Sequence, residues 1–252
     1  MSFPDFSVQD VKTQWKRLCD LLWFDDGLGI WLDVSRMCVN ASDFERLEPG
    51  FEKAFQAMQQ LEAGAVANPD EQRQVGHYWL RTPELAPSEA IRDHVAQEID
   101  QIEQFGKDVL SGAIKSPCGK PFTDVLWIGI GGSGLGPMLM VRALKRPNSG
   151  LPFHFFDNVD PDGMSTVLAG LGDRLRTTLV VTVSKSGGTP EPHIGMEQAR
   201  LRLDAVGGSW PEQAVAITMA DSKLDQQASQ QNWLRRFDMF DWVGGRTSIT
   251  SA

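Results

Sequence analysis

The chain has 252 residues, and its 24 lysines and arginines against 33 aspartates and glutamates give a formal net charge of −9. Hydrophobic residues make up 41% and charged residues 23%, which is typical of a globular protein and excludes a disordered or fibrous one. The acidic balance argues against duplex nucleic acid or an anionic membrane as the main partner, but it permits one positive pocket for a small anion.

Cysteine and histidine usage predicts a reducing compartment and no metal site. The three cysteines match no metal-ligand spacing, and the four histidines lie far apart. The amino terminus lacks a basic flank followed by an apolar stretch, so we expect no signal peptide and a cytoplasmic location. The uncharged run Val125–Val141 imitates a membrane span, but its five glycines predict buried backbone that turns sharply.

The first 120 or so residues predict helices and loops. Ser42 and Glu45 form a capping-box pattern before an apolar helical period. The segment 68–71, Asn-Pro-Asp-Glu, predicts a second helix start with Asn as the N-cap and Pro at the first position. A third helix is predicted from Pro87-Ser88 to Gly112.

Periodicity breaks over residues 116–121, where we place a domain boundary between a helical region, 1–120, and a second domain, 121–252. Beyond it, short apolar runs alternate with helix starts. The runs are Val125–Ile130, Phe153–Phe156, Leu179–Val183 and Ala214–Met219, and the helix starts are Asp160-Pro161, Thr189-Pro190 and Asp221-Ser222. This alternation predicts an α/β fold, a doubly wound parallel sheet with helices on both faces.

A glycine-rich loop, residues 129–137, directly follows the first predicted strand and precedes a helix. Its glycines let backbone N–H groups approach a ligand, and the helix start favours an anion. Gly129, Gly131 and Gly134 also match the dinucleotide fingerprint, and Asp157 stands where a ribose-binding acid is expected. A nicotinamide-dependent dehydrogenase and a purely structural turn are therefore alternatives at this point.

A hydroxyl-rich loop, residues 184–190, follows the third predicted strand. Ser184, Ser186 and Thr189 supply hydroxyl donors, and Lys185 adds a positive charge next to two glycines. Thr189 is also the predicted N-cap of the next helix, and this combination favours a phosphate monoester. The loop does not have the Walker A spacing, and a dinucleotide-binding domain has no need for this second cradle.

A third motif, residues 241–248, places Arg246 directly after Gly244 and Gly245. A planar cation beside tight backbone can stabilise a developing oxyanion or hold a carboxylate. The three motifs follow the carboxyl ends of successive predicted strands, where open α/β sheets bind ligands. Together they predict one anion-binding site at that edge of the sheet.

In this order and spacing, the three motifs resemble the phosphoglucose isomerase family. The segments that carry the resemblance are GIGGSGLGP (129–137), VSKSGGTPE (183–191) and DWVGGRTS (241–248), with weaker likeness at 68–71, 77–81 and 158–161. The resemblance implies two sugar-isomerase (SIS) domains, of which residues 121–252 are the first. It also implies a cytoplasmic, homodimeric enzyme that needs no metal or cofactor.

The resemblance further implies a reaction and a set of site residues. The reaction interconverts glucose 6-phosphate and fructose 6-phosphate by ring opening and proton transfer between C2 and C1 through a cis-enediol. Arg246 is the implied catalytic residue, stabilising the enediolate. The implied substrate-binding residues are Gly132, Ser133, Ser184, Lys185, Ser186, Thr189 and Gly245.

The chain departs from the family pattern in two respects. The family's proton-transferring glutamate, ring-opening histidine and later lysine come from regions beyond the Gly-Gly-Arg motif, so we expect a truncated chain without the second SIS domain. Loss of a general base costs about 10²- to 10⁴-fold in rate. Thr247 stands where the family usually has an aromatic residue. Two alternatives remain: a sugar-phosphate-binding SIS regulatory module without catalysis, and the nicotinamide-dependent dehydrogenase.

Overall fold

The computed structural model describes residues 10–146 and 150–245. The chain forms two compact units, Met1–Gln59 and Gln60–Ala252. The predicted boundary at residue 120 falls inside the second unit, and the assignment of 121–252 as one SIS domain stays a prediction. No helix within the described ranges is both long and apolar enough to cross a membrane.

The first unit contains a β-hairpin that the sequence analysis did not predict. Its elements are α1 (Val11–Leu21), β1 (Leu22–Asp25), β2 (Ile30–Asp33) and most of α2 (Ala41–Glu62). Asp10 caps α1 by accepting hydrogen bonds from the N–H groups of Lys12 and Thr13. The expectation of helices and loops alone is therefore wrong here, because β1 and β2 are short and show no clear alternation.

The capping box of α2 lies two residues before the predicted one. Asn40 Oδ1 accepts from the Ser42 N–H at 2.9 Å, and Asp43 Oδ2 accepts from the Asn40 N–H at 3.0 Å. The reciprocal pair is thus Asn40 with Asp43 instead of Ser42 with Glu45. The prediction of the helix is confirmed, but the prediction of its cap is wrong.

The second unit begins with a short hairpin and a long helix and continues as a regular α/β alternation. Its strands are β3 (Val66–Asn68), β4 (Arg73–Gln74), β5 (Asp124–Ile128), β6 (Phe153–Phe156), β7 (Thr178–Val183), β8 (Ala214–Thr218) and β9 (Arg235–Asp238). Its helices are α3 (Glu89–Ser111), α4 (Gly132–Leu144), α5 (Pro161–Leu171), α6 (Pro190–Ala205), α7 (Trp210–Gln213) and α8 (Lys223–Gln230), with 3₁₀ turns at Pro83–Leu85 and Gly172–Thr177.

The predicted helix start at 68–71 is wrong, because these residues form the turn of the β3–β4 hairpin. Asn68 Oδ1 does accept from the Glu71 N–H, at 3.2 Å, as an N-cap would. Gln72 then adopts a left-handed φ of 52°, and Arg73 pairs with Asn68 across the hairpin. An Asx turn and a helix N-cap share this local bond, and no apolar helical period comes after it to extend a helix.

The third predicted helix is confirmed as α3. Ser88 Oγ caps it by accepting from the Ile91 N–H at 3.3 Å. Gly112 ends it in the left-handed region, with φ of 75°.

The main sheet is parallel throughout and has the order β6-β5-β7-β8-β9. Helices α5, α6 and α8 pack on one face and α3 packs on the other, where α4 lies over the same strands. Each face of the sheet has its own hydrophobic core, and β7 contributes alternate residues to both. Val180 packs in the core under α5, α6 and α8, and Val181 and Val183 pack in the core under α3. The predicted doubly wound α/β/α fold is confirmed, and so are the four predicted strands.

The sequence analysis missed the edge strand β9. It is four residues long and begins with two arginines, so it lacks the apolar run that marked the other strands. Polar side chains are tolerated at this position because, within residues 10–146 and 150–245, one edge of β9 has no neighbouring strand.

Candidate functional site

The topology of the sheet brings two of the three sequence motifs together. The chain passes from β5 to β6 on one side and then returns past β5 to form β7 on the other. The loops after β5 and β7 therefore diverge at a topological switch point, where doubly wound sheets open a crevice. Ile128 and Thr182 are paired in register, so both strands reach this edge at the same level.

A cavity of about 250 Å³ lies at this switch point, and we call it the cradle. It brings together every predicted substrate-binding residue. These are Gly132, Ser133, Ser184, Lys185, Ser186, Thr189 and Gly245, joined by Arg73, Ile130, Val183, Pro192 and Met219. The predicted catalytic residue Arg246 lies outside the described residues, as does Thr247. The roles of all these residues stay predictions.

Close packing fixes the glycine-rich loop against the end of β5. A Cβ atom on Gly134 would lie 2.2 Å from the Gly129 carbonyl oxygen, so only glycine fits where α4 begins. Trp127 Nε1 donates to the Ser133 carbonyl at 2.7 Å and holds the first turn of α4 from the strand side. Gly132 and Ser133, the first residues of α4, line the cradle, so the positive end of the helix dipole lies there.

Ser184 is the most informative side chain of the second loop. The residue lines the cradle and is only 6% exposed, and its Oγ has no hydrogen-bond partner among the described residues. Leaving a buried hydroxyl unpaired costs about 1–3 kcal/mol, and such groups in native proteins usually await a ligand or a water. Ser184 is therefore a candidate ligand donor at the cradle.

Thr189 occupies the N-cap position of α6, as predicted, but its hydroxyl caps no backbone N–H group. A capping hydroxyl would normally accept from the second or third residue of the helix. Both the hydroxyl and the positive end of α6 consequently remain at the cradle, next to Ser186.

Lys185 connects the second loop to the third. Its Nζ donates to the carbonyl oxygens of Asp241 and Val243, each at 2.6 Å. Burial is the main cause that lowers the pKa of Lys185 below its usual value, and the positive charge of Arg73 lowers it further. Two of the three ammonium protons therefore hold the loop that leads to the Gly-Gly-Arg motif.

Aromatic side chains fix that same loop from the other side. The Trp242 ring stacks on Phe240, with centroids 4.6 Å apart and planes at 11°, and meets the Trp79 ring at 5.1 Å. The Trp242 carbonyl accepts a hydrogen bond from the Gly76 N–H at 3.1 Å. These contacts link the third loop to the segment that comes after the β3–β4 hairpin.

The sequence analysis missed Arg73 as a residue of this site. Arg73 belongs to β4, far from all three motifs in sequence, and reaches the cradle only through the fold. Its Nη1 lies 3.1 Å from Glu71 Oε2. Residues 68–71, where a helix start was predicted, form the hairpin turn instead, and this turn places Glu71 next to Arg73.

The sheet order disfavours the dinucleotide alternative. A dinucleotide-binding sheet has the strand order 3-2-1-4-5-6, with two strands beyond the first one. When β5 is counted as the first strand, the order here is 2-1-3-4-5, with only β6 beyond it among the described strands. Asp157, the candidate ribose ligand, accepts a hydrogen bond from its neighbour Asn158 at 2.8 Å and does not line the cradle.

A second cluster of titratable side chains lies away from the cradle. His94, Glu98 and Asp238 each have one side-chain atom of a type that can bind a metal ion, and these three atoms lie within 4.8 Å of one another. His94 Nε2 is 3.1 Å from Asp238 Oδ2, and the Asp238 N–H donates to Glu98 Oε2 at 3.2 Å. Burial is the main cause that raises the pKa of Glu98. These contacts join α3 to β9.

The fold and the paired loops define a doubly wound α/β protein whose candidate ligand site lies at the switch point of the sheet. A model of the phosphoglucose isomerase family matches residues 33–252, and the chain belongs to that family. The resemblance identified from the three motifs is thus confirmed. Neither the regulatory module nor the dehydrogenase is favoured by this match.

Relatives of known name agree with the family assignment. The glucose-6-phosphate isomerases of Parasynechococcus marenigrum (strain WH8102) and Synechococcus sp. (strain CC9605) are 74% and 72% identical over all 252 residues. The chain spans 46% and 47% of these two relatives, about half of their length. The crystal structure of a glucose-6-phosphate isomerase from Chlamydia trachomatis D/UW-3/Cx matches 94% of this chain and 45% of its own, with a TM-score of 0.77 at 28% identity.

Proposed function

We propose that this chain is the sugar-phosphate-binding half of an aldose–ketose isomerase that interconverts glucose 6-phosphate and fructose 6-phosphate. The cradle binds the phosphate group, and the family membership supplies the identity of the sugar. The proposed setting is the cytoplasm, where the three free cysteines stay reduced. We further propose that the full-length protein is a homodimer.

The unpartnered hydroxyl of Ser184 is the observation that carries this proposal. The hydroxyl is buried, and residue Ser184 lines the same cavity as Ser133, Ser186 and Thr189. Hydroxyl donors at the starts of two helices suit the three acceptor oxygens of a phosphate monoester. A surface loop without a ligand would leave such hydroxyls to water.

The proposed chemistry divides between this chain and the remainder of the longer protein. The cradle holds the phosphate and so fixes the position of C1 and C2, while Arg246 stabilises the negative charge of the enediolate. Lys185 positions the loop that leads to Arg246 through its bonds to the carbonyls of Asp241 and Val243. The general base that moves the proton between C2 and C1 belongs to the half of the longer protein that this chain does not span.

Calorimetric titration with 6-phosphogluconate, an anionic sugar-phosphate analogue, tests the proposal. We expect saturable binding to the wild-type chain and a Kd about 10- to 100-fold higher for Ser184→Ala, since a hydrogen bond to a charged group contributes about 1.5–3 kcal/mol. Ser165→Ala is the matched control, because Ser165 is an exposed residue of α5 outside the cradle. Equal affinity of wild type and Ser184→Ala, or no binding to a folded wild-type chain, contradicts the proposal.

A further inference from the structure

The cradle contains two cationic side chains among its described residues, and they are not equivalent. Lys185 is half-buried and directs two of its three N–H groups to backbone carbonyls. Arg73 carries five N–H donors in a planar fork, and Glu71 is its one ion-pair partner among the described residues. Arg73 therefore has the greater capacity to bind an additional anion.

The chain next to Arg73 is anchored by two contacts, which hold the β4 backbone beside the cradle. Gln74 Nε2 donates to the Gly64 carbonyl at 2.7 Å, and the Gly76 N–H donates to the Trp242 carbonyl at 3.1 Å. A Cβ atom on Gly76 would lie 2.0 Å from the Trp79 ring, so the chain passes this ring in close contact.

The ion pair between Arg73 and Glu71 is exposed and so is easily exchanged. The side chain of Arg73 is 35% exposed and that of Glu71 is 56% exposed. Water screens such a pair strongly, and exposed pairs contribute little to stability. Glu71 Oε2 also accepts from Asn68 Nδ2 at 3.2 Å, so the carboxylate keeps a partner when the guanidinium leaves it.

We infer that Arg73 is a further substrate-binding residue of the cradle, and that its guanidinium exchanges Glu71 for the phosphate of the bound sugar. This inference rests on the proposed function of the cradle and extends it to a residue outside the three motifs. The planar fork of arginine matches two phosphate oxygens at once, which a lysine cannot do. Glu71 competes with the phosphate for the same guanidinium.

Opposite effects of two neighbouring substitutions test the inference. Arg73→Gln raises the Kd for inorganic phosphate and for 6-phosphogluconate by the same factor, about 10- to 100-fold. Glu71→Gln lowers both Kd values, because the competing carboxylate is gone, and its effect shrinks in the Arg73→Gln background. Arg73→Lys keeps the charge but not the fork, and it binds with intermediate affinity.

The possible results separate this inference from the proposed function. Wild-type affinity in Arg73→Gln overturns the role of Arg73 and leaves the cradle intact. A loss for 6-phosphogluconate but not for inorganic phosphate places Arg73 at the other end of the ligand and overturns the phosphate assignment. Weaker binding in both Arg73→Gln and Glu71→Gln, with equal loss of thermal stability, shows a structural hairpin only. Absence of binding to the folded wild type overturns both proposals.

Discussion

Gly187 provides a test of whether backbone geometry builds the second loop of the cradle. Its φ is +64°, and a Cβ atom there would lie 2.5 Å from the Leu224 backbone nitrogen and 2.9 Å from Ser222 Oγ. Placing alanine in the left-handed region costs about 1–2 kcal/mol, and overpacking against fixed backbone costs about 1–3 kcal/mol. We therefore expect Gly187→Ala to lower the free energy of unfolding by about 2–5 kcal/mol.

Gly188→Ala is the matched control in the same loop. Its nearest atom, Ser186 Oγ, would lie 4.0 Å from the added Cβ, and Gly188 has no left-handed φ. Urea denaturation of both variants, monitored by circular dichroism, gives the two free energies and their slopes. Similar stabilities for the two variants would refute the argument that the Leu224 and Ser222 contacts require glycine at position 187.

Two further substitutions test buried polar groups. Because the pKa of Glu98 is raised, the native state binds its proton more tightly than the unfolded chain does. This contribution to stability is complete below the ordinary carboxyl pKa and is lost as the pH rises through the raised pKa. Glu98→Gln should therefore gain stability relative to wild type across that window and not below it; a pH-independent difference in urea denaturation would exclude this cause. Thr182 is 2% exposed, and its Oγ1 has no partner among the described residues. Thr182→Val should raise the free energy of unfolding by about 1–3 kcal/mol, and a loss of stability measured in urea would show that the hydroxyl is bonded after all.

The sequence predicted the α/β half of the molecule well because its signals are local and agree with one another. The four apolar runs are buried strands, and the glycine or hydroxyl clusters after them mark where β5 and β7 end. Parallel order then results from the intervening helices, and the switch point brings Ser133 and Ser184 to one cavity. Motif spacing was therefore sufficient to predict that residues of the glycine-rich loop and the hydroxyl-rich loop meet.

The error at residues 68–71 arises because one short-range hydrogen bond does not determine the conformation of the residues after it. Asn68 makes the bond of an N-cap, but the left-handed Gln72 turns the chain into a hairpin. The place of Arg73 in the cradle depends on Gly76 contacting Trp242, more than 160 residues later in the chain. No local pattern encodes a contact of that range.

The stacking of Trp242 gives the molecule an intrinsic optical reporter. Indole emission responds to small changes in the surrounding charge and polarity, and Trp242 lies between the two carbonyl groups that accept from Lys185. We expect movement of the ammonium group toward an anion to change the electric field near this indole ring. We therefore expect occupancy of the cradle to change the tryptophan emission, and Trp242→Phe separates this signal from that of the other seven tryptophans.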